Sequence, residues 1–423
     1  MSDTRKHIAI IGTGISGLGA AYLLNPHHQI TVYEKNHYPG GHSRTLEVKT
    51  PDGSIPVDTG FIVFNYRNYP LLTGLFSHLE VPVAKSDMSF GASIDGGRIE
   101  YGTQRVRNLF AQKRNLLRPD FWRMIADILR FNKEARRYLA SDPAVTLAEC
   151  LDALRMGAWF REYFLLAMGG AIWSTPLEDM LKFPAASFVR FFENHGLLTV
   201  NDQPQWYTVT GGSREYVSRL TAPFKDAIRL NCGGAKIIRE GDSVTVIDTQ
   251  GGSARYDAVV FACHADEALM MMENPSPDER RILSAFKYQP NRAVLHSDIR
   301  FMPKRKGAWA SWVYLCEGAH DKKPCVSLSY WMNRLQPLPT RQPIIVTLNP
   351  GREPDPALVH NDHQFTHPLF DEAAIRAQSE IPLIQGKDRF WFAGAYQRYG
   401  FHEDGLASAV AMANAMGIGI PWK

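Results

Sequence analysis

The chain has 423 residues, more than one hydrophobic core usually organises, so two joined domains are expected. Its 45% hydrophobic content, without low-complexity tracts, excludes a disordered or fibrous protein, and a net charge of +4 is too small to argue for nucleic acid. Cys150, Cys232, Cys263, Cys316 and Cys325 lack CxxC or Cys/His ligand spacing, which argues against a disulfide framework and a zinc site; they read as reduced core thiols, with no metal expected.

The first residues run straight into an apolar strand, His7 to Ile11, leaving no room for a signal peptide, and no apolar stretch is long enough to span a bilayer. A cytoplasmic protein is expected. The strand is followed by Gly12-Thr13-Gly14-Ile15-Ser16-Gly17 and a helix, Ile15 to Leu24. In such a strand–turn–helix, Gly12 permits the tight turn, Gly14 admits a pyrophosphate to the backbone, and Gly17 lets helix and strand pack closely. A second strand, Ile30 to Tyr33, ends at Glu34 and Lys35, and Glu34 lies roughly 20 residues past the turn, where an acid binds a ribose 2′-hydroxyl. NAD or FAD is thus expected before NADP.

The next stretch, Gly40-Gly41-His42-Ser43-Arg44-Thr45, resembles the GG-x-x-x-T segment of flavin-dependent amine oxidases, carotenoid desaturases and protoporphyrinogen oxidases, which selects FAD. The resemblance implies that this segment brings backbone and one basic side chain to the FAD diphosphate. The usual arginine after the two glycines is replaced by His42, and Arg44 follows two residues later. Asp58-Thr59-Gly60-Phe61 closes an alternating run; it reads either as the D-x-G that sets backbone beside the flavin edge, implicating Gly60 and Phe61, or as a plain strand end with a turn.

From about residue 80 to 205 the pattern turns helical and aromatic. Between Arg105 and Arg137 basic residues far outnumber Asp120, Asp127 and Glu134, alongside Phe110, Phe121 and Trp122. Such a helix either lies on an anionic membrane surface or shows an ordinary solvated basic face. Trp206 to Ser213 carries a second GG turn before a helix, Arg214 to Leu220. Strand candidates follow at Lys236 to Arg239, with Ala235 before it assigned to the cofactor set, at Ser243 to Asp248, and at Tyr256 to Ala262, which resembles the strand re-entering the nucleotide domain. Ala293 to His296, Trp309 to Leu315, Val326 to Trp331 and Ile344 to Leu348 read as a mixed or antiparallel sheet.

The last motif pairs a strand, Arg389 to Ala395, with a small-residue helix, Ala407 to Met416, after Glu403-Asp404-Gly405. It resembles the superfamily's closing F-A-G-[DE] … E-G-A-x-x-S-G, which implies that Gly394, Ala395, Gly405, Leu406 and Ala407 adjoin the flavin and that the helix N-terminus stabilises the reduced ring. Ala395 stands where Asp or Glu is usual. The chain is therefore identified as a member of the flavin-containing amine oxidase and phytoene desaturase-like superfamily. AIWSTP (171–176), WYTVTGGSREYV (206–217) and YGFHEDGL (399–406) resemble a bacterial branch that accompanies cyclopropane or methyl-branched fatty acid synthases.

The resemblance implies an α/β fold: a discontinuous FAD-binding Rossmann-like domain of the glutathione reductase type (1–80, 206–270 and 386–423), interleaved with an α+β substrate domain (81–205 and 271–385). It also implies an FAD-dependent oxidoreductase taking a hydride from an unsaturated or methyl-branched fatty-acyl chain, free or in phospholipid; the alternative is an amine oxidase for a small amine or polyamine. Only one dinucleotide fingerprint is present, so electrons should leave to dioxygen or another acceptor. Lys304, Lys306, His296, Trp309 and Tyr396 are candidates to face the flavin, but His402 and Tyr399, placed in the loop before the closing helix, are the chosen catalytic candidates. Their competing reading is structural.

Overall fold

The computed structural model describes residues 5–142, 144–173, 180–194, 197–199, 203–318 and 325–422. Ser174 to Pro176, the end of the AIWSTP phrase, lie outside the described residues.

Five parallel strands form the first sheet, in the order Ile228–Arg229, Gln29–Tyr33, His7–Ile11, Ala258–Phe261 and Phe390–Phe392. Their Ile, Val and Phe runs suit a sheet covered on both faces. Alternate side chains divide accordingly. Ile8, Ile10, Val32 and Val260 meet Leu18 and Leu24 of the helix Ile15–Leu24 and Leu406 of the closing helix His402–Ala415. Ala9, Ile11, Tyr33, Val259 and Phe261 meet Ile237, Val244 and Val246 of an antiparallel meander spanning Gly234–Glu240, Ser243–Asp248 and Ser253–Tyr256. Residues from the beginning, middle and end of the chain thus share one sheet.

A second sheet has seven strands, ordered Val359–Leu369, Lys287–His296, Ile345–Leu348, Cys325–Trp331, Trp312–Glu317, Phe90–Ile94 and Ile99–Gly102. All neighbours are antiparallel except Trp312–Glu317 and Phe90–Ile94. Helices between residues 119 and 194 pack on its Phe90, Ala92, Tyr101 and Tyr314 side. Toward the Val359–Leu369 edge, the same face packs Leu295, Leu328, Tyr330 and Val346 against Val48, Ile55 and Val57 of the hairpin Thr45–Thr50/Gly53–Asp58.

Two expectations change, and one strand carries no signal in the sequence. The stretch from residue 80 is not wholly helical, since Val83–Ser86, Phe90–Ile94 and Ile99–Gly102 are strands. Asp95, Gly96 and Gly97, all at positive φ, turn the last two into a hairpin. The longest strand, Val359–Leu369, has no legible pattern, because VHNDHQFTHPL is polar and lies at the sheet edge. The closing helix begins at His402, five residues before Ala407, because the Asp404 carboxylate accepts the Phe401 N–H at 3.0 Å and secures an earlier first turn. His402 is therefore a helical residue and not part of the preceding loop.

Candidate functional site

The site is built where glycines let three segments touch. Gly12 has φ +104° and donates its N–H to the Tyr33 carbonyl at 2.8 Å, stapling the turn to the second strand. A Cβ on Gly17 would lie 1.9 Å from the Gly12 carbonyl oxygen, whereas one on Gly14 would meet nothing within 4 Å. Gly14 is the N-cap of the Ile15–Leu24 helix, with no side chain capping it and no acid in the first turn. The N–H groups of Ile15, Ser16 and Gly17 are therefore open to an anion. Gly40 donates to the Thr13 carbonyl at 3.0 Å, and a Cβ on Gly41, at φ +58°, would stand 3.0 Å from Gly14 Cα. The closing helix completes the junction, since a Cβ on Gly405 would fall 2.7 Å from Ile15 Cγ2, 2.9 Å from Ser16 Oγ and 3.7 Å from Ala395 Cβ. Gly394 donates to Ser408 Oγ at 2.8 Å, and Leu406 is buried against Gly19 while Ala407 is partly exposed.

Glu34 is buried and fully engaged: one oxygen accepts the Thr13 N–H at 3.0 Å and the Thr13 hydroxyl, the other the Asn36 N–H and side-chain amide, both at 2.8 Å. A ribose hydroxyl would have to replace one of these donors, and the part-exposed Asn36 amide is the most easily displaced. Lys35 points outward to Glu267 at 2.5 Å, and Ala235 is exposed at a bulge between Gly234 and Lys236.

Of the two basic candidates, Arg44 donates to Thr59 Oγ1 at 3.2 Å and Asn361 Oδ1 at 3.1 Å, tying the GG segment to the edge strand. His42 is stacked 4.9 Å from Phe365 and lies 5.2 Å from His367, and its buried Nε2 has no hydrogen-bond partner. Burial, then the neighbouring His367, His264, His402 and His363, hold His42 well below the ordinary imidazole value. This orphaned nitrogen, the uncapped helix end and the open space over Gly14 fit a diphosphate. Among the described residues no three His, Cys, Asp or Glu side chains are arranged to hold a metal.

Thr45 faces elsewhere. Its hydroxyl donates to Asp58 at 2.6 Å, and buried Asp58 also accepts from Ser213 N–H at 2.9 Å, Ser213 Oγ at 2.8 Å and Gln336 Nε2 at 2.9 Å. Desolvation pushes the Asp58 carboxyl up to about 6 despite these donors. The Asp-x-Gly run therefore acts as a hub joining both GG turns to the second sheet, while Gly60 is held under the His42 carbonyl, 2.1 Å from where its Cβ would be. Phe61 turns inward.

The two catalytic candidates separate. His402 stacks on Phe61 with centroids 3.9 Å apart and planes 10° apart; its Nε2 lies 2.7 Å from Tyr216 Oη and 3.0 Å from Ser43 Oγ, which also bond each other. Burial pushes the His402 imidazole down to about 3, so it is neutral. Tyr399 instead lies against the helical layer, its ring 6.2 Å from Phe191, and Phe401 stacks on the same Phe191 at 5.1 Å. The neighbouring acids serve backbone: Glu403 accepts from Leu71 and Leu72 N–H at 2.8 and 2.9 Å, and burial raises Asp404 to about 6. Ser43 and Tyr216 went unread because 359 and 186 residues separate them from His402.

The remaining candidates are placed elsewhere. His296 Nε2 bonds Thr347 Oγ1 at 2.8 Å inside the second sheet, and Trp309 donates to Pro303. Lys304 and Lys306 are exposed, and Tyr396 is buried 4.8 Å from Phe286.

The model of the flavin-containing amine oxidoreductase family matches residues 15–337. AofH of Mycobacterium tuberculosis, named for flavin-containing monoamine oxidase activity, is 24% identical over 292 residues, covering 66% of this chain. The chain spans about three fifths (61%) of the length of that relative. The fold is shared with a conjugated-linoleic-acid-producing fatty acid isomerase from P. acnes (TM-score 0.67, 15% identity, 99% of both chains) and with cyclohexylamine oxidase from Brevibacterium oxydans (TM-score 0.66, 17% identity, 98% and 100% of the two chains). This chain belongs to the flavin-containing amine oxidoreductase family.

Proposed function

We propose that this chain is an FAD-dependent oxidoreductase that desaturates an unsaturated or methyl-branched fatty-acyl chain presented by phospholipid at the cytoplasmic membrane face, a hydride leaving one carbon and a proton its neighbour so that a new double bond forms, and that it passes the electrons to dioxygen or another acceptor. The observation that carries the reading is the wall beside His402. Tyr399 and Phe401 meet an apolar helical layer of Leu165, Leu166, Phe188, Phe191 and Phe192, and the adjoining carboxylates are committed to backbone N–H groups. An alkyl chain is at home on such a wall, while an ammonium group would meet no uncommitted acid there.

FAD, when bound, supplies the hydride acceptor. The chain's residues would hold it through Gly12, Gly14, Ile15, Ser16 and Gly17 at the diphosphate with His42 beside them, Glu34 at the ribose, and Gly60, Phe61, Gly394, Ala395 and Gly405 toward the ring. In the same reading, the first sheet with its meander is the nucleotide domain and the seven-stranded sheet with its helices the substrate domain. His402, neutral and held by Tyr216 and Ser43, orients the reacting carbon without adding charge to an apolar site; Tyr399 lines the chain's path.

Oxidation of a small amine or polyamine is the competing reading, supported by the likeness to AofH and to cyclohexylamine oxidase. Anaerobic mixing of the purified holoenzyme with acyl-chain and amine panels separates them. Bleaching of the flavin absorbance by acyl chains alone is expected, and bleaching by amines alone would reverse the assignment.

A further inference from the structure

We propose that Leu116, Leu117, Trp122 and Leu129, with the basic side chains around them, dock the enzyme reversibly on an anionic phospholipid bilayer. The idea rests on the acyl-chain reading for its purpose and on the surface itself for its evidence.

Large apolar side chains are seldom gathered on a monomer's surface. Here Leu117 is 85% exposed, Leu129 56%, and Leu116 and Trp122 48% each. They form one patch. The Trp122 indole N–H donates to the Leu116 carbonyl at 3.0 Å, seating the ring on the turn that carries both leucines. Trp122 and Leu129 lie two turns apart on the helix Pro119–Glu134, with exposed Ala126 between them. Phe121, Met124 and Phe131 on the same helix are buried in the helical core. Trp122 and Leu129 form the outer edge of its apolar arc, beyond half-buried Ile125 and Ile128, and that edge is left uncovered by its own chain. Val106, 74% exposed, sits on the short helix leading into Phe110, whose ring is 5.3 Å from Trp122.

The charge around the patch points to phosphate headgroups. Arg130, Arg136 and Arg137 are paired with Asp127, Glu193 and Glu134. Arg105, Arg107, Lys113, Arg114 and Lys133 make no ion pair among the described residues, and all five are exposed. Arg118 belongs to the fold, its guanidinium bonding Asn115 Oδ1 at 2.9 Å and the Arg98 carbonyl at 2.9 Å, within a crowd of like charges from Arg114, Arg98 and Arg305. Exposed Leu and Trp flanked by uncommitted cations match the boundary between acyl chains and anionic headgroups. No helix among the described residues is long and apolar enough to cross a membrane, so such contact would be at the surface.

Co-sedimentation of the holoenzyme with phosphatidylcholine vesicles, and with vesicles containing phosphatidylglycerol, tests the proposal at low and high salt. Pelleting with the anionic vesicles at low salt and release at high salt are expected. Lys113→Glu with Arg114→Glu should weaken partitioning about tenfold or more, and Leu117→Asn with Leu129→Asn should do the same, both with an unaltered flavin spectrum. A wild type that stays in the supernatant at low salt, leucine variants that pellet like wild type, or equal binding to heparin that ignores the leucines would overturn it. Acyl chains that bleach the flavin while the protein never pellets sink the docking surface alone; vesicle binding without acyl-chain oxidation sinks the substrate reading alone.

Discussion

The glycine turn Gly12–Gly17 and the His402 cluster sit at the two helix N-termini that meet over the first sheet, yet they are made in opposite ways. At the turn, side chains are excluded: Gly14, Gly17, Gly41 and Gly405 bring three backbones within contact of one another. At His402, the backbone supplies little and side chains do the joining, through Ser43, Tyr216 and the stacked Phe61. A site made of missing atoms is rigid and local; one made of side-chain contacts can be retuned by single substitutions.

The largest effect should come from breaking the first site. Gly17→Ala puts a Cβ 1.9 Å from backbone that cannot retreat without moving the turn, and overpacking of this kind costs about 1–3 kcal/mol or more. A melting temperature of the FAD-free protein equal to wild type would show slack in the turn. Gly14→Ala sharpens the contrast, because at φ −63° with nothing within 4 Å the apo protein should melt as wild type while FAD binds about tenfold or more weakly. Titration of released flavin measures it.

At the second site the handle is pH. The His402 imidazole is pushed down to about 3 from 6.5, so between those values the folded protein binds fewer protons than the unfolded one. Its contribution is complete above about pH 6.5 and is lost on acidification, by at most about 1.4 kcal/mol per pH unit. Asp58 and Asp404, raised to about 6, act with the opposite sign and partly mask it. His402→Asn should therefore lose less stability than wild type between pH 6.5 and 5, by up to about 2 kcal/mol in urea denaturation. Equal losses would mean that His402 protonates freely in the fold. Tyr216→Phe, which removes a hydroxyl bonded to both His402 and Ser43, should cost about 1 kcal/mol. Lys35→Ala should do least: its pair with Glu267 is 65% exposed on the lysine side and worth about 0–1 kcal/mol in thermal melts.

The same contrast explains what was legible in the sequence. Glycine spacing is a local signal, so the turn, the GG segment and the closing motif could be read directly, as could the apolar strands of the first sheet. The partners of His402 come from residues 43, 61 and 216, and no spacing encodes that meeting. The His402 helix start was misplaced because Phe401-His402-Glu403-Asp404 looks like loop until the Asp404 carboxylate is seen to cap it. The edge strand Val359–Leu369 escaped because a half-exposed strand need not alternate. The basic stretch reads equally as a membrane-facing or a solvated helix face, because the exposure of Leu116, Leu117 and Leu129 leaves no periodic signal.

The Glu403 carboxylate that caps Leu71 and Leu72, 332 and 331 residues away, also has a consequence in time. The strand Phe390–Phe392 and the closing helix supply one edge and much of one cover of a sheet whose first strands are made at the outset. At about 5–20 residues per second, a ribosome leaves roughly 20–80 seconds between the emergence of Gly17 and that of Gly405. During that interval the nascent sheet has an unpaired edge, first at His7–Ile11 and, once it is made, at Ala258–Phe261, and an unroofed face over Leu18 and Leu24. Nascent chains stalled before residue 390 should be trapped by chaperones, and chains released after residue 415 should be the first to retain flavin.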